Sequence, residues 1–242
     1  MRPRFHVPHL DSSGQADLAD EEAAHLVRVL RLGAGADIDV FDGRGGMFHA
    51  RVVEANRAGV RIAVLGPAPA AAEPALRVAL VMSVLKGDKM DDVVRDAAMM
   101  GVAVVQPLLA ARSEVSLAAL RRGHRAERWT RIAIASVKQS GRAVVPLVAE
   151  PIDLVAWIRQ RSAEAVLVLQ EPAAGIAKPL RDVARSPAVQ LLVGPEGGWA
   201  GEELAAFEAA GFAAVSLGAR TIRADAAPVV AIAALYEAWD GW

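Results

Sequence analysis

The chain has 242 residues, enough for one large or two modest domains. Hydrophobic residues make up 54% and charged residues 23%, which predicts a packed core and excludes a disordered chain. A formal charge of −1 excludes a uniformly basic surface, and zero cysteines exclude a disulfide framework and a thiolate metal site. The opening MRPRFHVPHLDSSG has no continuous apolar stretch, so no secretory signal is expected. No apolar run approaches the roughly 18 residues of a membrane helix. The expectation is a cytoplasmic protein with neither a membrane nor a metal among its partners.

Residues 1–66 read as mostly β. Arg4–Val7 is a short opening strand, Asp37–Phe41 alternates and ends at Asp42-Gly43, and Gly46–Val53 and Val60–Leu65 are bounded by glycine. One helix, Asp20 to Leu30, interrupts them, with Asp20 as N-cap and Gly33 as a stop. Short strands with one helix predict a small barrel. His25 and Arg28 share a face of that helix, and Arg31 joins them if it ends near Leu30, with Leu26, Val29 and Leu30 opposite. That face is either an ordinary solvated surface or a phosphate contact.

Residues 66–74, GPAPAAAEP, form the clearest linker. From Ala75 strands and helices alternate. Leu76–Leu85 is a strand, Asp88–Met100 a helix stopped by Gly101, and Val102–Val105 a strand closed by Pro107. Arg125–Gln139 is helical, with Trp129, Ile132, Ala133, Ser136 and Val137 along one stripe. Ala165–Leu169 is a strand ending at Gln170-Glu171-Pro172. Val189–Val193 and Phe212–Leu217 are two more, separated by a helix with Leu204 and Phe207 on one face and Gly211 as stop. The tail, Ala226–Trp239, is an apolar helix carrying Val229, Val230, Ala233 and Tyr236, richer in apolar residues than one exposed helix needs. The alternation predicts an α/β fold with a mainly parallel sheet and helices on both faces. Positive charge concentrates at Arg112, Arg121, Arg122, Arg125, Arg128, Arg131, Lys138 and Arg142, against Glu114 and Glu127, which fits a polyanion partner or a solvated helix face.

The stretch Val189–Pro228 organises the rest. Each of its strands stops at a glycine loop, Gly194-Pro195-Glu196-Gly197-Gly198 and Gly218 onward. In parallel α/β sheets, ligands collect where loops leave the carboxyl ends of strands. Phosphate-loop, dinucleotide, zinc-protease and nucleophile-elbow signatures are all missing. The five-residue loop is either a plain strand-to-helix turn or a cradle whose glycines let backbone amides approach a ligand.

These residues carry a resemblance. Gly194–Gly198 with Leu217–Ala227 resembles the paired C-terminal motifs of the RsmE family, SPOUT-class methyltransferases of small-subunit ribosomal RNA. Arg4-Phe5 with His25–Arg31 resembles that family's PUA-like RNA-binding barrel, and Lys86–Met90, Gln139–Arg142 and Val145-Pro146 resemble its middle motifs. The resemblance implies a PUA-like β-barrel over 1–70 and a SPOUT methyltransferase domain over 75–242 with a C-terminal trefoil knot. It implies a homodimer, S-adenosylmethionine as cofactor, and methylation of N3 of a uridine in 16S ribosomal RNA, free or in the assembled small subunit. Carried over, Leu169, Gly194, Glu196, Gly197, Leu217, Gly218 and Ile222 would bind the cofactor, and Arg142, Arg223 and Asp225 would serve catalysis. Arg4, His25, Arg28, Arg31 and Arg112 would contact RNA. The chain departs from the family pattern at Met99 and Lys138, where glutamates are common. It also departs at Asp225 and Ala226, where Glu-Thr is common. The alternatives are another SPOUT RNA methyltransferase, acting on ribose or a tRNA base, and a non-catalytic RNA-binding or assembly protein.

Overall fold

A computed structural model describes residues 2–11, 14–162, 164–171 and 177–242. It divides into two compact units, residues 1–72 with 134–145, and residues 73–133 with 146–242. One edge of this division, after residue 72, lies within the GPAPAAAEP segment, and residues 134–145 group with residues 1–72.

In the first unit, strands β1 (Arg4–His6), β2 (Gln15–Asp17), β3 (Asp37–Phe41), β4 (Met47–Asn56) and β5 (Gly59–Pro67) form one sheet in the order β1-β3-β4-β5-β2. β1 runs parallel to β3 and the other pairs are antiparallel. The alternation of β3 sets its faces. Ile38 and Val40 are buried, while Asp37 and Asp39 point out to Arg51 and His49. Phe5 of one edge strand and Ala16 of the other pack on the same core, so the sheet curls around Leu26. The expected barrel is therefore a curled five-stranded sheet, with no pairing between its edges β1 and β2 among the described residues.

The helix departs from expectation. α1 (Asp20–Ala24) begins after Ala19, so Asp20 is its first residue rather than its cap, and His25–Val29 continues as a π-helical turn. The wider turn breaks the 3.6-residue stripe. Leu26 alone is buried, and Val29 and Leu30, expected to be covered, are exposed. Residues 134–145 complete this unit. Lys138, where the resembled family commonly has glutamate, donates to Glu22 at 2.5 Å and to His25 Nδ1 at 3.1 Å, and lies 4.5 Å from the Phe5 ring centroid.

In the second unit, β6 (Arg77–Ser83), α2 (Lys89–Met100), β7 (Val104–Leu109), α3 (Leu117–Arg122), and α4 (Arg125–Ser140) as far as Ala133 come first. Then follow β8 (Leu147–Val148), β9 (Ile152–Asp153), α5 (Leu154–Gln160), β10 (Ala165–Leu169), β11 (Lys178–Pro179), β12 (Ala188–Val193), α6 (Gly201–Ala209), β13 (Ala213–Ser216) and α7 (Ala227–Trp239). The sheet order is β11-β13-β10-β12-β6-β7-β8, with β9 also on β7, and every pair is parallel.

Strands buried on both faces must be apolar throughout. Val81, Leu108, Val166, Val168 and Leu192 pack with Trp157 of α5 and Phe207 of α6. The alternate residues Leu80, Met82, Leu167 and Leu191 are equally buried and point to the opposite face, where α7 meets β6 and α2. Burying one such side chain contributes about 1.5–3 kcal/mol. Pro107 does not close its strand but lies inside β7 opposite Met82. The neighbour on the other side changes from β8 at 104–105 to β9 at 108–109, so neither pairs with Pro107 and its missing N–H costs no ladder bond. Gln106 fills that gap, donating to the Glu150 carbonyl at 2.9 Å. On α7 the buried stripe is Ala227, Ala231, Ile232, Leu235, Tyr236 and Trp239, while Val230 is 40% exposed.

Candidate active site

The carboxyl ends of β10, β12 and β13 lie side by side in the sheet order β13-β10-β12. The loops leaving them, Leu169–Glu171, Gly194–Trp199 and Leu217–Asp225, line one cavity of about 450 Å³ in the second unit. That volume suits a small organic ligand. Lys89, at the start of α2, and Arg112, beyond the end of β7, complete the wall.

The glycine loop is held from several directions. The Gly198 N–H donates to the Pro195 carbonyl at 2.9 Å, closing a turn, and Gly198 has φ +67°, which favours glycine. Arg112 Nη1 donates to the Gly197 carbonyl at 2.6 Å, and Lys89 Nζ donates to Glu196 Oε1 at 2.9 Å. The Trp199 ring packs so close to Gly194 that a Cβ there would lie 3.0 Å from it. Its indole Nε1 donates to the Leu169 carbonyl at 3.2 Å, tying this loop to the one after β10. Burial pushes the Glu196 carboxyl up, but the Lys89 and backbone N–H donors outweigh it and hold it below the usual range.

The third loop carries its own ion pair. Arg223 Nε and Nη2 donate to the two Asp225 oxygens at 3.0 and 2.6 Å. The guanidinium keeps the Asp225 carboxyl below its ordinary value, and the carboxylate raises Arg223. Asp225 is thus an ionised partner for Arg223 and a poor proton acceptor at neutral pH.

Among the predicted cofactor residues, Leu169, Gly194, Glu196, Gly197, Leu217 and Ile222 line the cavity, and Gly218 lies just outside the lining with φ +97°. Arg223 and Asp225 line it too. Arg142 does not. It belongs to the first unit and is 4% exposed there. Pro172 lies outside the described residues. Arg112, expected to touch RNA, is in the cavity wall. Arg4, His25, Arg28 and Arg31 all belong to the first unit. Arg28 and Arg31 are exposed, while Arg4 donates to the Lys138 carbonyl at 3.3 Å. Within the expected basic stretch, Arg112, Arg121, Arg122 and Arg131 are exposed. Arg128 pairs with Asp91, Lys138 with Glu22, and Arg142 is buried.

Sequence reasoning gave no role to Lys89, Gln170, Glu171, Trp199 or Arg220. Lys89 stands in a motif that could have flagged it. Gln170 Oε1 is buried beside the cavity with no hydrogen-bond partner among the described residues. Glu171 and Arg220 form no ion pair among them either. A cavity with a spare carboxylate, a spare guanidinium and a spare amide oxygen fits a zwitterionic amino acid joined to a nucleoside.

Comparison with known proteins follows the same line. A family model for an RNA methyltransferase domain matches residues 72–236, and one for an RNA methyltransferase PUA domain matches residues 18–65. The ribosomal RNA small subunit methyltransferase E of Mycobacterium bovis is 32% identical over 98% of this chain and 93% of its own length. The Neisseria gonorrhoeae protein of that name, solved bound to S-adenosylmethionine, is 33% identical with a TM-score of 0.90, covering 99% of this chain and 98% of that one. A Legionella pneumophila protein solved with the same cofactor is 28% identical, with a TM-score of 0.91 over 99% of this chain and 98% of that one. With glycine loops, sheet order and relatives in agreement, the chain belongs to the ribosomal RNA small subunit methyltransferase E family of RNA methyltransferases.

Proposed function

We propose that this S-adenosylmethionine-dependent methyltransferase modifies N3 of a uridine in small-subunit ribosomal RNA. The observation that carries the reading is the single cavity shared by the three carboxyl-end loops. Leu169, Gly194, Gly197, Leu217 and Ile222 would hold the cofactor, with Glu171 toward its ammonium and Arg220 toward its carboxylate. The bound sulfonium supplies an electrophilic methyl group. What the chain adds is alignment, worth about 7–11 kcal/mol in the best cases, and help in losing the N3 proton. Charge then develops on the uracil carbonyl oxygens, and a guanidinium aimed at them stabilises it. Arg223, which lines the cavity and pairs with Asp225, is our candidate for this role, and the resemblance alone adds Arg142.

The RNA footprint draws on Arg4, His25, Arg28 and Arg31, so binding weakens as salt rises. The target base is unpaired or flipped out. Three further elements belong to the same reading. A trefoil knot is supported by the chain's passage from β12 past β10 to β13. A homodimer is supported by the open Val230 side of α7. A cytoplasmic location is supported by the substrate. The test incubates the protein with unmodified small ribosomal subunits, or their bare RNA, and labelled cofactor, followed by nucleoside mass spectrometry. N3-methyluridine is expected. A ribose-methylated product, or none, rejects the proposal.

A further inference from the structure

The loop after β7 was expected to face RNA, yet it holds the cofactor cradle by a chain of contacts. Glu203 of α6 is 8% exposed, and its two carboxylate oxygens are both used. Oε1 accepts the Ala111 N–H at 2.7 Å and Oε2 accepts the Ala200 N–H at 2.7 Å. Ala111 immediately precedes Arg112, and Ala200 lies two residues after Gly198. One carboxylate therefore fixes the base of the Arg112 side chain and the exit of the glycine loop together. From that anchored base Arg112 reaches the Gly197 carbonyl at 2.6 Å, and its stem packs about Gly197 at 3.4 Å from an ideal Cβ there. The Gly197–Gly198 peptide is pinned at both ends, its carbonyl by Arg112 and its N–H by the Pro195 carbonyl.

Two physical points single out Arg112. No carboxylate lies within ion-pair distance of it among the described residues, so its hydrogen bonding is directed at a neutral backbone oxygen. A glycine loop has the largest conformational entropy to lose, so a clamp that orders it beforehand removes that cost from ligand binding. We propose that Arg112 and Glu203 are positioning residues that preorganise the Gly194–Gly198 loop for S-adenosylmethionine, with the β7 loop a structural part of the cofactor site. This rests on the reading of the cavity as the cofactor site.

The test uses the full chain, titrated calorimetrically with S-adenosylmethionine in the absence of RNA, and separately with a small-subunit ribosomal RNA fragment. Arg112→Met keeps the stem and removes the donor. Loss of one charge-assisted hydrogen bond predicts about tenfold weaker cofactor binding. Arg112→Lys recovers part of it, because an ammonium can donate but lacks the rigid fork. In turnover, KM for the cofactor rises while kcat at saturating cofactor and KM for RNA stay near wild type. Glu203→Gln has only one acceptor oxygen for two N–H groups and weakens cofactor binding in the same direction. Should that buried change unfold the protein, the exposed Arg112→Met variant still decides. Arg112→Met with wild-type cofactor affinity and reduced RNA affinity overturns the clamp and returns Arg112 to RNA contact. A wild-type protein that binds no S-adenosylmethionine instead rejects the cavity reading itself, and the inference with it.

Discussion

The two glycine-bearing loops of the cavity are built differently. The Gly194–Gly198 loop is held from outside by Lys89 and Arg112, which come from two other parts of the second unit, and the adjoining Trp199 ties it to the Leu169 carbonyl. The Leu217–Asp225 loop is braced within itself, by the Arg223–Asp225 pair, and exposes Arg220, Thr221 and Arg223. One wall is preset from outside and the other is braced by its own residues. That division suits a site that must grip one reactant and then admit a much larger one.

Gly194→Val attacks the preset wall most directly. The branched side chain meets the Trp199 ring, which cannot move without giving up the Leu169 carbonyl. Overpacking of about 1–3 kcal/mol predicts a ten- to hundredfold loss of cofactor affinity by calorimetry. Unchanged affinity would show that the wall yields after all. Arg223→Ala tests the self-braced wall. If its guanidinium stabilises developing charge, turnover falls by about ten- to a hundredfold while cofactor affinity holds. A loss of affinity with unchanged turnover would reverse the roles of the two loops.

Lys89→Ala removes a half-exposed ion pair from the preset wall. Such pairs contribute about 0–1 kcal/mol, so cofactor affinity should drop no more than a few-fold, and less at high salt. The smallest expected effect is that of pH on the Arg223–Asp225 pair. Asp225 has its folded pKa lowered, so the pair is complete above the ordinary carboxylate range and is lost only as pH falls below it. Between about pH 6 and 9 Asp225 stays ionised. The turnover profile should therefore rise with pH as the uridine imide ionises, without an acidic limb that disappears in Asp225→Asn.

Parts of this were legible in the sequence for clear reasons. β3 and β10 are bounded by turn residues and have one pattern each, so both appear with the residues expected. β2 was missed because Gln15–Asp17 is a three-residue edge with no apolar pattern. α7 was recognised as a helix, but in an almost wholly apolar segment periodicity has no contrast, so the sequence did not single out which side is buried. In the site, glycine strings announce backbone geometry locally. The Arg112–Gly197 and Glu203–Ala111 contacts join residues far apart in sequence, and an acid on a short helix reads as solvated until the fold shows what it touches.

The allotment of residues 134–145 to the first unit bears on how the protein can be dissected. A clone ending in the proline linker would omit Lys138 and leave the Glu22 carboxylate without the ammonium it meets in the whole chain. The piece that looks like a portable amino-terminal module is thus a discontinuous one. Any fusion or domain exchange that treats the linker as its seam starts from an incomplete body.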